Sequence, residues 1–191
     1  MSYEPRKAAQ LIAYLILKSG GPALNVLKAV KLVYMIDRES IKRYGFPVLE
    51  EKRCSMPHGP VNSLTYAYIT GSYEPEKSGW SEFLRDRENH NIALADPNIR
   101  IDDLDELSEA DMACADAVWE RFGRMSQWQL RDWTHDPRNI PEWEDPNGGS
   151  TVIPLQRILH AVGTPNAEDF NRLSADFEHV DQVFREARRR R

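Results

Sequence analysis

Cysteine is scarce in this chain. Cys54 and Cys114 are the only two, and neither belongs to a CxxC pair. That spacing argues against a disulfide framework and against a thiolate zinc site, and it fits two ordinary thiols in a reducing compartment. The five histidines, His58, His90, His135, His160 and His179, form no short-spaced pair, and there is no HExxH. No metal and no cofactor are therefore expected. Glycine is equally unhelpful to a phosphate-binding reading. The pairs Gly20–Gly21 and Gly148–Gly149 sit in turns rather than between a strand and a helix, and no GxSxG elbow occurs. Long apolar runs are missing too. "LIAYLIL" is too short to cross a bilayer and lacks the flanks of a secretory signal. A cytoplasmic protein without membrane contact is the expectation.

What is present suits one globular domain. The chain has 191 residues, 41% hydrophobic and 29% charged, enough for an ordinary core and too apolar for wholesale disorder. The net charge of -5 is uneven, because residues 1–60 hold ten Lys/Arg against five Asp/Glu while the remainder is acidic. Such a balance does not describe a general nucleic-acid binder, although a local basic face could meet an acidic partner.

Apolar spacing predicts a helix over 5–18, stopped by "SGGP", and a second over about 24–44 ended by Gly45 and Pro47. On the second, Leu24, Leu27, Val30 and Tyr34 share one face, and Lys31, Arg38 and Lys42 another. "FPVLEEKRCSM" reads as extended chain, and Pro57, Gly59 and Pro60 as a rigid corner. Pro60 suits the first position of a further helix, "PVNSLTYAYITG". "WSEFLRDRENHNIALA" reads as a small β-hairpin. Ser108 with Asp111, and Ser126 with Gln129, are capping boxes that open two helices. "DPRNIPEWEDPNGGS" is a loop, and "PLQRILHAVG" a short helix. The last segment is amphipathic, with Phe170, Leu173, Phe177, Val180 and Phe184 on its apolar side. The fold class is mainly α with a small antiparallel β element, a single α+β domain over 1–165 followed by a C-terminal amphipathic helix and basic tail over 166–191.

Catalytic candidates are few. His58 in "PHGP" and His135 in "WTHD" have unusual neighbours, and with Asp37, Asp132 or Asp136 they could build an acid–base or metal site. The plainer alternative is that each imidazole bonds a backbone carbonyl and holds a corner. Three of the five tryptophans crowd "MSQWQLRDWTHDPRNIPEW", either as core or as a binding face. Arg38, Lys42 and Arg43 read as a solvated helix face or as a dock for an acidic partner. "RRRR" reads as a solvated tail or as a contact with nucleic acid or an acidic surface.

Residues 27–71 carry a recognisable series of motifs. Lys31, Leu32, Tyr34 and Asp37 fit "lxKLlYxaD"; Tyr44, Gly45 and Pro47 fit "YGxPl"; His58, Gly59, Pro60 and Val61 fit the His before "GPV". Leu107 to Asp111, Leu130, Thr134, His135 and Trp143 continue the series. In these positions the chain resembles the Panacea domain, the SocA-like antitoxin domain, over about residues 8–162. "SLTYAYITG" is looser than the usual "LYxxl", and the tail from Asn166 matches no motif. The resemblance implies protein binding rather than catalysis: an antitoxin of a bacterial or phage type II toxin–antitoxin system that neutralises a cognate toxin encoded by an adjacent gene. It implies no enzyme activity and makes DNA binding a weak expectation, while homo-oligomerisation stays open. The contact residues expected on this reading are Tyr34, Arg38, Lys42, His58 and Trp133. Lys31, Asp37, Gly59, Pro60, Val61 and His135 are expected to be structural. The alternative is an enzyme or regulator using a His58/His135/Asp pocket on a nucleotide or macromolecular substrate.

Overall fold

The computed structural model describes residues 3–74, 78–85, 88–170, 172–173 and 176. The architecture is built around one helix. α1, Pro5–Ser19, starts with proline at its first turn and ends on Gly20 in the left-handed region, and it is buried without a break from Ala8 to Ile16. A short strand β1, Ala23–Asn25, leads into α2, Val26–Tyr44. Asn25 caps α2 by accepting from the Lys28 N–H, and Gly45 closes it at φ 79°. The helix starts two residues later than its apolar pattern suggests, because Ala23–Asn25 pair with a distant strand instead.

α2 is the hub. α1, α4, α5, α6 and the second sheet all pack on it. α4 is Glu109–Phe122, α5 is Gln127–His135 and α6 is Leu155–Val162. Both faces of α2 are thus covered, which explains why Lys31, read as part of a polar face, is 0% exposed. The capping boxes form as the sequence suggests. Ser108 accepts from the Asp111 N–H at 3.2 Å, Ser126 from the Gln129 N–H at 3.2 Å, and the Asp111 and Gln129 side chains bond back.

Two small antiparallel sheets complete the fold, which is mainly helical with a minor β part as expected. In the first, β1 pairs with β4, Asn91–Ala93. The predicted hairpin over 80–95 survives only in part: Trp80–Glu82 is a 3-10 turn, and isolated bridges join Leu84 to Leu94 and Glu88 to Asn91. The second sheet has the order β3-β2-β5, from β2 (Arg53–Met56), β3 (Gly59–Asn62) and β5 (Thr151–Ile153).

β3 corrects the expectation of a helix beginning at Pro60. Pro60 lies on an edge strand opposite Ser55, where its missing N–H leaves no ladder bond unmade. The helix α3, Ser63–Ile69, begins only after Asn62. At the other end of the chain, residues 167–170 are helical, and Phe170 packs edge-on against Phe46 at 5.2 Å, directly over Gly45. Most of the amphipathic segment and the basic tail lie outside the described residues. No described helix is long and apolar enough to cross a membrane.

Candidate functional site

The hairpin β2–β3 turns through Pro57 and His58. Proline at the second position and glycine at the fourth are what a type I turn favours, and Gly59 follows with φ +93°. Three carbonyls of this hairpin are held from other elements. The Trp143 indole N–H donates to Met56 O at 3.2 Å. His135 Nε2 lies 2.8 Å from Pro57 O. Lys31 Nζ donates to Pro60 O at 2.9 Å. The glycine is required by space as well as by φ, since a Cβ there would sit 2.9 Å from Lys31 Nζ and 3.0 Å from Thr134 Oγ1.

Behind the hairpin lies a buried charged cluster. Asp37, on α2, accepts from the N–H groups of Val48 and Leu49 at 3.0 Å each through one oxygen. Through the other it accepts from Arg53 Nε at 3.1 Å and Asn62 Nδ2 at 2.7 Å. Glu51 accepts from the N–H groups of Leu64 and Thr65 at 2.6 and 2.9 Å, and from the Thr65 hydroxyl at 2.5 Å. It therefore supplies the cap of α3 that Asn62 does not. Asn62 directs its amide N–H groups to these two carboxylates, and among the described residues its buried Oδ1 has no donor. A third carboxylate, Glu142, is 0% exposed and accepts from the Tyr34 hydroxyl at 2.9 Å and Arg38 Nε at 2.7 Å. Burial pushes Glu51 up to about 7 and Lys31 down to about 7, because each is desolvated in its charged form.

The expected contact residues therefore divide. Tyr34 is fully buried, so its place is in the core and not on a surface. Its hydroxyl is spent on Glu142, and α2 is covered on the side where it stands. Arg38 is half-buried and reaches Glu142 and Asn139 O, so it belongs to the internal cluster rather than to a solvated face. Trp133 is half-buried against Phe122, ring centroids 4.7 Å apart. Lys42 and His58 are exposed. Val61 is buried opposite Cys54.

The His58/His135/Asp grouping meets competing bonds. Both ring nitrogens of His135 face backbone carbonyls, Nδ1 at 2.9 Å from Arg131 O and Nε2 at 2.8 Å from Pro57 O. Asp132 accepts from Arg131, and Asp136 from Arg138, which holds the Asp136 carboxyl down at about 2. Among the described residues no group of three or more His, Cys, Asp or Glu could hold a metal ion.

Beside the hairpin runs a groove of about 750 Å³. Its apolar walls include Leu27 and Val30 of α2, Met56 and Val61 of the hairpin, Tyr66 of α3 and Trp128 of α5. Trp128 is 55% exposed. Sequence reasoning names neither Trp128 as the exposed tryptophan nor Glu51, Arg53, Asn62 and Glu142 as the cluster. The only sequence signal for the cluster is an excess of charge in segments that otherwise read as extended chain or loop.

A family model described as the SocA-like antitoxin, Panacea domain, matches residues 30–144, which takes in α2 from Val30 onward, the hairpin, the buried cluster and the α5 brace. No curated protein and no solved structure matches the chain significantly.

Proposed function

The chain belongs to the SocA-like antitoxin, Panacea-domain family, and from that premise we propose that it is an antitoxin which binds a protein toxin non-covalently and blocks it. The system would be type II, bacterial or phage-borne, with the toxin encoded by an adjacent gene and the complex formed in the cytoplasm. The observation that carries the reading beyond the family is the use made of the motif residues. Lys31, Asp37, Gly59, Pro60 and His135 are consumed in bracing one hairpin, Asp37 through Arg53 and Asn62. Chemistry is invested in shape, as a recognition module requires, since a rigid scaffold loses little entropy on binding.

The acid–base alternative has less support. Its imidazole at His135 already faces two carbonyls, and its aspartates are each bonded to arginine or to buried donors. The experiment is growth of cells induced for the adjacent gene's product, with and without this chain, joined to co-purification of the two. Growth arrest that this chain relieves, with a stoichiometric complex, is the expected result. A neighbour harmless on its own overturns the antitoxin reading.

A further inference from the structure

The groove beside the hairpin is one-sided in the ionisable residues that line it. Among the described residues that line it there is no Asp or Glu, although the chain has thirty and carries a net charge of -5. Lys31, His58 and His90 do line it. Lys31 is buried, and among the described residues no carboxylate forms an ion pair with it; it donates to the neutral carbonyl of Pro60. The starts of two helices also open onto the groove, α2 through Val26 and Leu27 and α5 through Gln127 and Trp128. Neither has an acidic residue in its first turn, whereas α4 has Glu109 and Asp111 there. No acidic residue of either first turn therefore offsets the positive end of its helix dipole.

The walls say what else the occupant must be. They are aliphatic and aromatic, and a volume of about 750 Å³ has room for several side chains of a bound segment. Trp128 stands at the rim, more than half exposed, with Arg131 over its ring at 5.1 Å. A large exposed indole beside an apolar trough has the character of an interface anchor.

We propose that this groove is where the toxin docks, and that it takes a polypeptide segment with apolar side chains and at least one carboxylate, the carboxylate lying toward Lys31 and the two helix starts. This rests on the antitoxin reading and adds the chemistry of the partner's contact segment. The hairpin sets one wall, which gives its bracing a purpose. A one-residue displacement of Met56 or Val61 would change the trough. Of the expected contacts His58 stays at this groove, while Tyr34 and Arg38 give way to the first turn of α2 and to Trp128.

The test uses the full chain and the adjacent gene's product, with dissociation constants measured at low salt. Trp128→Ala removes the anchor, and the double variant His58→Glu, His90→Asp places two carboxylates at the groove. All three positions are exposed, and His90 at φ 62° is a conformation aspartate accepts. Val152→Glu, on the exposed face of β5 and outside the groove lining, is the control. Each groove variant should weaken the complex by about tenfold or more with an unchanged melting curve, and the control should stay within about twofold. A benzophenone amino acid at position 128 should crosslink to an apolar toxin segment containing Asp or Glu. A wild-type complex that the groove variants leave intact overturns the groove and spares the antitoxin reading. No wild-type complex at all overturns both. A small anion retained stoichiometrically by the purified chain, seen by native mass spectrometry and not displaced by the toxin, also overturns the groove as a protein site.

Discussion

Replacing Asp37 with asparagine is the sharpest test of the buried cluster. The carboxylate accepts four hydrogen bonds, two from the backbone of Val48 and Leu49 and two from Arg53 and Asn62. An amide keeps one oxygen, which can still serve the backbone pair. Its NH₂ group then points at two donors, Arg53 Nε and Asn62 Nδ2. The Arg53 charge is left in a site where its side chain is 8% exposed. Breaking a buried ion pair from one side costs about 3–5 kcal/mol. That is a large part of the roughly 5–15 kcal/mol that holds a domain together. With a urea m-value of about 2–3 kcal/mol/M, the midpoint should fall by roughly 1–2.5 M. Equilibrium urea unfolding followed by tryptophan fluorescence reads this directly. Adding Arg53→Met to Asp37→Asn removes the stranded charge, so the double variant should lose less than the two single losses together. A loss below about 1 kcal/mol with an unchanged m-value would show that the cluster is solvated and the reasoning wrong.

The other predictions rest on the hairpin brace. Lys31 has its folded pKa lowered from 10.5 to about 7, so the folded chain binds fewer protons than the unfolded chain between those values, and stability should rise as pH climbs through that window. Lys31→Met should remove that rise, which unfolding curves at the two ends of the window will detect; an unaltered pH profile contradicts the burial of the amine. Gly59→Ala meets both a positive φ of 93° and the Lys31 and Thr134 side chains, and should cost about 1–3 kcal/mol in a thermal melt. An alanine variant as stable as wild type would mean that the turn at Pro57 and His58 is not held as described.

The helices were largely legible because their signals are local. Pro5, Gly20 and Gly45 mark ends by their own backbone preferences, and Ser108 and Ser126 satisfy N–H groups three residues away. Pro60 shows where locality runs out. Proline is equally at home at the first position of a helix and on an edge strand. Only β2, which supplies Ser55 opposite it, and Lys31, which reaches its carbonyl, make the second choice. The inward placement of Tyr34 and Arg38 was hidden for a related reason. Periodicity shows which residues share a face of α2, but not that α4, α5 and α6 cover the remaining faces. Glu142 lies in a segment rich in turn formers, and nothing near it in the chain marks it as the acceptor for residues more than a hundred positions away.

By itself, then, the sequence determined the class of fold, the ends of its main helices, a rigid corner at Pro57–Pro60 and a family. Those depend on backbone preferences and on ordered motifs that can be read along the chain. The tertiary structure alone decided which charges are buried and which surface is left for a partner. The groove draws its walls from residues 25–31, 56–61, 66–70, 127–128 and 148–149, together with His90. The lack of carboxylates among its described lining residues is a property of that assembly and of no single stretch, because burial and field are set by what folding brings together across the chain.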